Sequence, residues 1–357
     1  MKKHLLKAFL ISILAILFIS CSSDDDFEWK QPEIKTTGIY LLNSGNRKAN
    51  DATLGYYDVE AGKVTEKVFA NTNKPEILGD VANDMAIYGS KMYIAVTNSN
   101  SIWVTDLKAK IVKLIEPKEG EMPLKPRHVV THTGKVYVST ETGYLLRIDT
   151  ASMNMDRIKI SDYTEKMVVV NNKLYVTNPT TTNIVSVIDL NNFTSTPENV
   201  IVGDNPSGIS ADTRGNVYVL SYGFYNDDES LGKLHKIETL NKNKVTELGT
   251  NVATQMVRNG DRLLMLKEEY DPFKISLLYY DLKKDELIDE SFITDGTKVA
   301  NPYSITTDPL TKNIYVGDGN YANSGKMYVF TKEGKLITQF STGGFYPMGA
   351  YFLTETK

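Results

Sequence analysis

Phe345-Tyr346-Pro347-Met348-Gly349-Ala350-Tyr351-Phe352-Leu353 reads as a β-strand introduced by a turn. Only Thr354 to Lys357 follow it, too few to complete a sheet around it. The same turn-Pro-apolar pattern occurs upstream in NPSGISA (205–211) and NPYSITT (301–307), where it begins a group of four short strands. Near the other end, GIYLLNS (38–44) looks like the second strand of such a group with its first strand missing. A leftover first strand and a headless group predict a ring closed by pairing residues 346–352 with GIYLLNS.

Working outward, one pattern recurs. NNKLYVTNPTTTNIVSVIDL (171–190) is its clearest copy: an Asn-Lys turn, an alternating Leu-Tyr-Val strand, a polar loop, a second alternating strand and a terminal Asp. Matching runs start at Gly38, Ser90, Gly134, Gly215, Asp261 and Lys312, which makes seven. The phase-marking residues are Tyr40, Tyr93, Tyr137, Tyr175, Tyr218 and Tyr315, with Leu264 in the tyrosine position of one copy; spacings run from 38 to 53 residues. Each copy is preceded by a short apolar strand such as MVVV (167–170) and followed by a more polar one such as KVTEL (244–248). Four short period-2 strands per repeat describe a propeller blade, so the expected fold is an all-β, seven-bladed β-propeller of four-stranded blades over 37–357. The innermost strand is expected to be the most apolar, with both faces covered. Charges on the outermost should blunt an open edge.

The beginning of the chain is of another kind. Lys2, Lys3 and Lys7 form a basic segment, and an apolar run from Leu5 ends at Phe18-Ile19-Ser20-Cys21. That run is shorter than the roughly 20 apolar residues of a membrane span and fits a signal peptide over 1–20. Its end resembles a bacterial lipobox, with Phe18 where Leu is usual, and predicts lipidation of Cys21. Cys21 is the only cysteine, which excludes intramolecular disulfides and thiolate clusters. Several acyl chains on one N-terminus would anchor it stably. Asp24-Asp25-Asp26 follows within residues 21–36, which read as a flexible tether; the acidic run resembles a surface-export signal and also fits a solvated linker. Without residues 1–20 the charge is 37 basic against 44 acidic side chains, and no basic patch points to nucleic acid.

The G-K-x-Y-V and V-x-V-I-D strands and the N-P-x-x-I turn resemble YncE-type seven-bladed propellers. The lipobox, acidic signal, GIYLLNSGN (38–46) and GDVANDMAIYGSKMYIAVTNS (79–99) together resemble the BtuG type, the cobalamin-capturing surface lipoproteins of gut Bacteroidota. The resemblance implies an outer-membrane, outward-facing, non-enzymatic protein. Its ligand would be cobalamin or a related corrinoid, and its partner a TonB-dependent transporter. It carries no residue-level binding motif onto this chain.

Candidate ligand contacts therefore come from loop geometry. Propellers bind ligands on the face made by loops leading into the first strand and loops joining the second and third. Those loops hold many Asn residues, which turns alone explain, and a set of aromatics: Tyr222, Phe224, Tyr225, Tyr270, Phe273, Tyr303, Tyr321, Phe345 and Tyr346. Clustered exposed rings point to a ligand; a corrinoid suits them, and a glycan suits them too. Arg127 and His128 lie at a strand start on the same face. His132 and His235 fall elsewhere and no G-x-S-x-G or H-E-x-x-H pattern occurs, which speaks against a lyase or hydrolase. No metal or covalent cofactor is expected; Asp227, Asp228 and Glu229 lack the spacing and glycine of a calcium loop. Asp58, Asp106, Asp149, Asp189 and Asp281 end third strands and read as turn formers.

Overall fold

A computed structural model describes residues 33–180, 182–223, 232–250, 252–270 and 273–356. Among them are seven four-stranded antiparallel sheets, each a blade. Six blades are built from consecutive strands, from Ala82–Tyr88, Lys91–Val96, Ser101–Asp106 and Ile111–Ile115 in the second to Pro302–Thr307, Ile314–Asp318, Lys326–Phe330 and Leu336–Ser341 in the seventh. The first blade is composite. Ile34–Asn43, Thr53–Asp58 and Lys63–Thr65 are completed on the inner side by Pro347–Thr356, as expected from the terminal stretches. Its strand starts at Ile34, three residues ahead of the expected limit. Beyond the chain-long pattern there is a short helix, Val68–Thr72, and a small hairpin of Lys118–Glu119 with Met122–Pro123.

Closure is fastened by more than a strand ladder. Ser44 N donates to Tyr346 O (2.9 Å) and Gly45 N to Phe345 O (3.1 Å). On the seventh-blade side Ser304 Oγ donates to Pro347 O (2.7 Å). The Pro347 ring lies so close to Gly319 and Gly325 that a Cβ there would come within 2.4 and 2.6 Å of its Cδ. Gly is required at both by this approach, not by a turn.

Seven apolar clusters, one between each pair of neighbouring blades, replace a single core. Tyr93, Ala95 and Val104 of the second blade, for example, pack on Val129, Val136 and Leu146 of the third. Ile39, Leu41 and Ala350 of the first blade meet Tyr315, Met327 and Val329 of the seventh, which seals the ring. This is how about 320 residues form one unit, Lys35–Glu355, although single cores stop growing below that size.

The burial pattern corrects one expectation. The second strands, not the innermost ones, are the most buried: Met92 through Val96 are each fully enclosed, whereas the innermost Ala82–Tyr88 is buried toward its start and half-buried from Ala86 to Tyr88. Second strands are covered on both faces by adjacent blades. Innermost strands border the central channel, and part of each meets solvent. The phase tyrosines are core residues, and Leu264 occupies the same position in the sixth blade, fully buried. Tyr175 Oη donates to Asn243 Oδ1 (2.9 Å), and Tyr40 Oη to the Leu107 carbonyl. The strand-ending aspartates do act as turn formers: Oδ1 of Asp106 accepts from Lys108 N (2.8 Å) and that of Asp281 from Lys283 N (2.9 Å).

Candidate functional site

A cavity of about 680 Å³ opens where the innermost strands start and the second strands end. All seven blades contribute to it, through Met348 and Tyr351 (first), Asp84 (second), Arg127 and His128 (third), Lys166 (fourth), Tyr222 (fifth), Gln255 (sixth) and Tyr303 (seventh). Lead-in positions converge here because the ring aims every innermost strand at its axis.

The floor is a chain of charged groups from three blades. Arg127 donates through Nε (2.9 Å) and Nη2 (2.5 Å) to the two oxygens of Glu165. The His128 ring is held between two carboxylates, with Nδ1 3.3 Å from Asp84 Oδ2 and Nε2 3.1 Å from Glu165 Oε1. Asp84 also accepts from the backbone of Val129 (3.0 Å) and Met85 (2.8 Å) and from Tyr351 Oη (2.7 Å) on the closing strand. Asn83 Nδ2 donates to Arg127 O (3.1 Å). The guanidinium stands 5.7 Å from the centre of the Tyr163 ring.

The electrostatics follow from burial opposed by pairing. Burial would raise the Glu165 carboxyl, but His128 and Arg127 outweigh it and hold the group well below the usual carboxylate range. Burial would lower His128; Glu165 and Asp84 reverse this and raise it above an ordinary imidazole. Burial, reinforced by Asp84, holds the Tyr351 phenol far above its usual value. Burial lowers the Lys166 ammonium, only partly countered by Glu165 and Asp84. A carboxylate held so acidic is a weak base, and most of its lone pairs are already engaged. The Glu165 carboxylate is thus suited to fixing the charges beside it.

Above the floor stand tyrosines. Tyr222 and Tyr303 line the cavity, and Tyr346 packs on Tyr303 with ring centroids 5.1 Å apart at 48°. Tyr346 has φ 52°, left-handed backbone that costs a non-glycine residue roughly 1–2 kcal/mol. The strain sits at the turn that brings its ring to Tyr303.

Four of the sequence-derived candidates, Arg127, His128, Tyr222 and Tyr303, therefore share the cavity wall, with Tyr346 behind Tyr303. Two do not join them. Phe345 lines a separate pocket of about 480 Å³ with Leu54, Phe69 and Leu78. Tyr321 is 75% exposed on its loop and away from the wall. Tyr270 and Phe273 are backbone register partners at the end of the sixth blade's long hairpin. Cys21, Phe224, Tyr225, Asp227, Asp228 and Glu229, with the signal peptide and most of the tether, lie outside the described residues. His132 pairs with Asn172 (2.8 Å), and His235 is buried beside Glu247 (3.6 Å), so the histidines do not converge. Asp84, Glu165, Lys166 and Tyr351 were not singled out from the sequence. For Asp84, Glu165 and Lys166 the signal was present, as charged residues just before the apolar strands MAIY and MVVV; Tyr351 sits within the closing strand, where nothing marks it.

Residues 37–195 match the model of a family described as a domain of unknown function, DUF5074, a span that runs from the first blade into the fourth. No curated protein sequence matches the chain. Similar solved structures include a Bacteroides fragilis protein described as a candidate 6-phosphogluconolactonase, with 10% identity over 90% of this chain and 100% of that one and a TM-score of 0.62. Hydrazine synthase of Kuenenia stuttgartiensis is 13% identical over 77% of this chain and 95% of its own, with a TM-score of 0.60. A Lactobacillus plantarum protein is 14% identical over 89% and 100%, with a TM-score of 0.59. At such identities the likeness is one of fold alone.

Proposed function

We propose that this chain is a non-enzymatic binding propeller that captures cobalamin or a related corrinoid in the axial mouth and passes it to a TonB-dependent outer-membrane transporter. The observation that carries the binding reading is the pre-formed mouth: an ionic floor in which Arg127, His128, Asp84 and Glu165 hold one another, under a tyrosine wall, in a cavity lined by all seven blades. Rigid walls lose little entropy on binding. Tyrosine faces suit an apolar macrocycle, and amide-rich loops suit its polar rim. The choice of corrinoid rests on the resemblance of GIYLLNSGN and GDVANDMAIYGSKMYIAVTNS, with the lipobox, to the cobalamin-capturing lipoproteins.

In this reading residues 1–20 are removed, Cys21 is acylated, and residues 21–36 tether the propeller to the outer face of the outer membrane. Radiolabelled palmitate should enter the wild-type protein and not Cys21→Ser. Calorimetric titration of the mature protein with cyanocobalamin tests the ligand; heat no larger than dilution at micromolar protein sinks the corrinoid. The tilted Tyr303–Tyr346 pair also favours a second reading, a glycan-binding or adhesion module, because such rings stack on sugar faces. Retention on immobilised plant or host glycans without corrinoid binding would select it.

A further inference from the structure

One cationic side chain on the mouth floor is left out of its hydrogen bonds. Arg127, His128, Asp84 and Glu165 satisfy one another, and Glu268 on the far wall is engaged in contacts of its own. Lys166 lines the same cavity, and its ammonium makes no hydrogen bond or ion pair among the described residues, although the field of Glu165 and Asp84 reaches it. Its backbone, by contrast, is fixed three times to the neighbouring strand: Lys166 N donates to Thr177 Oγ1 (3.0 Å), and Lys166 O accepts from Thr177 N (3.0 Å) and Oγ1 (3.2 Å). The fold thus holds a long cationic side chain rigidly at its root and leaves its tip without a partner, in a place where burial disfavours charge.

Beside it, Arg127 gives Nε and Nη2 to Glu165 and keeps Nη1 uncommitted among the described residues. The nearby carboxylates have most of their lone pairs taken. Glu165 accepts from Arg127 and His128, and Asp84 from Tyr351, Val129 and Met85. An oxygen anion entering from the mouth would meet two cationic donors beside two carboxylates that are already paired.

We propose that Lys166, assisted by Arg127 Nη1, is the docking point for an anionic oxygen group of the ligand, a phosphate or a carboxylate. The proposal rests on the mouth being the binding site and is independent of the ligand being a corrinoid. A charge-assisted hydrogen bond of this kind is about twice as strong as a neutral one and orients what it holds. The site would therefore prefer ligands with an oxyanion at one end and an apolar or aromatic-compatible body that reaches Tyr222 and Tyr303.

The test is the thermal unfolding midpoint of the mature protein, at neutral pH, in potassium phosphate, potassium acetate and potassium chloride of equal ionic strength. Binding to the folded state raises the midpoint in a saturable way. Phosphate should raise it above chloride saturably in wild type and in the surface control Lys335→Met and less in Lys166→Arg, while Lys166→Met keeps only the shallow, non-saturating rise that excluded phosphate gives any fold. A rise with acetate as well identifies a carboxylate-competent site; a rise with phosphate alone identifies a phosphate site. In chloride, Lys166→Met should melt at or above wild type, since it removes an unpaired buried charge. Absence of any anion-specific rise in wild type, an equal rise in Lys166→Met, or a lower midpoint of Lys166→Met in chloride would each overturn the proposal. None of these outcomes depends on whether cyanocobalamin binds.

Discussion

Replacing Glu165 by Met should reveal how much the ionic floor contributes to the fold. The change deletes the acceptor of both Arg127 hydrogen bonds and of His128 Nε2 while keeping similar volume. Side-chain exposure is 14% for Glu165 and 20% for Arg127, so the pair is largely removed from water. Breaking a buried pair from one side costs about 3–5 kcal/mol because the remaining charge is left uncompensated. The residual exposure of Arg127 places the expectation at the lower end, about 3 kcal/mol. At about 2 °C per kcal/mol for a chain of this size, the unfolding midpoint should fall by about 6 °C. Arg127→Met combined with Glu165→Met should recover most of that loss, since two apolar groups replace a pair whose desolvation offset its attraction. The pH dependence has a defined sign. Glu165 titrates below its ordinary 4.5, so its contribution is complete above about pH 4.5 and is lost as pH falls through the folded value. His128 titrates above its ordinary 6.5, so its contribution is complete below about pH 6.5 and is lost as pH rises through the folded value. The pair is at full strength between those limits, and Glu165→Met should flatten both flanks of a midpoint-versus-pH curve measured by circular dichroism. A Glu165→Met midpoint within about 1 °C of wild type, or a double variant less stable than the single one, would refute this reasoning.

Three further outcomes follow from the same geometry. Deleting residues 345–357 removes the inner strand of the first blade and its share of the first–seventh blade cluster; a broad, non-cooperative melt is expected, and a sharp one would contradict ring closure. Tyr351→Phe removes the hydroxyl that donates to Asp84 at 2.7 Å; a loss of about 1.5–3 kcal/mol in denaturant unfolding is expected for a hydrogen bond to a charged group, and an unchanged midpoint would show the bond to be dispensable. Gly319→Ala forces a Cβ to 2.4 Å from Pro347 Cδ and should lower the melting midpoint by several degrees, whereas Gly260→Ala, where no atom lies within 4 Å, should cost less and only through its φ of 63°.

Most of the fold could be read from local patterns, and the reason is physical. Alternation, turn residues and strand-ending aspartates act within a few residues, so NNKLYVTNPTTTNIVSVIDL carries nearly a whole blade on its face. Closure was legible because Tyr346 to Phe352 had no local partner. The relative burial of the innermost and second strands was not, since it depends on a channel that exists only once seven blades surround it. The mouth was half legible. Loop position brought out Arg127, His128, Tyr222 and Tyr303, but Glu165 and Asp84 acquire their roles through partners 37 and 45 residues away, and Tyr351 through one 267 away. Lys166 is a lysine like the chain's others until its neighbours are seen to be paired without it.

The most direct test of the binding account is an anomalous difference map, collected at the cobalt absorption edge, from crystals of the protein grown with cyanocobalamin. A single strong peak is expected within the axial mouth, beside Tyr222 and Tyr303 and near the Arg127–Glu165 pair. A cobalt peak at the opposite end of the channel or on the outer edge of a blade, or no peak in crystals equilibrated with millimolar ligand, would contradict it.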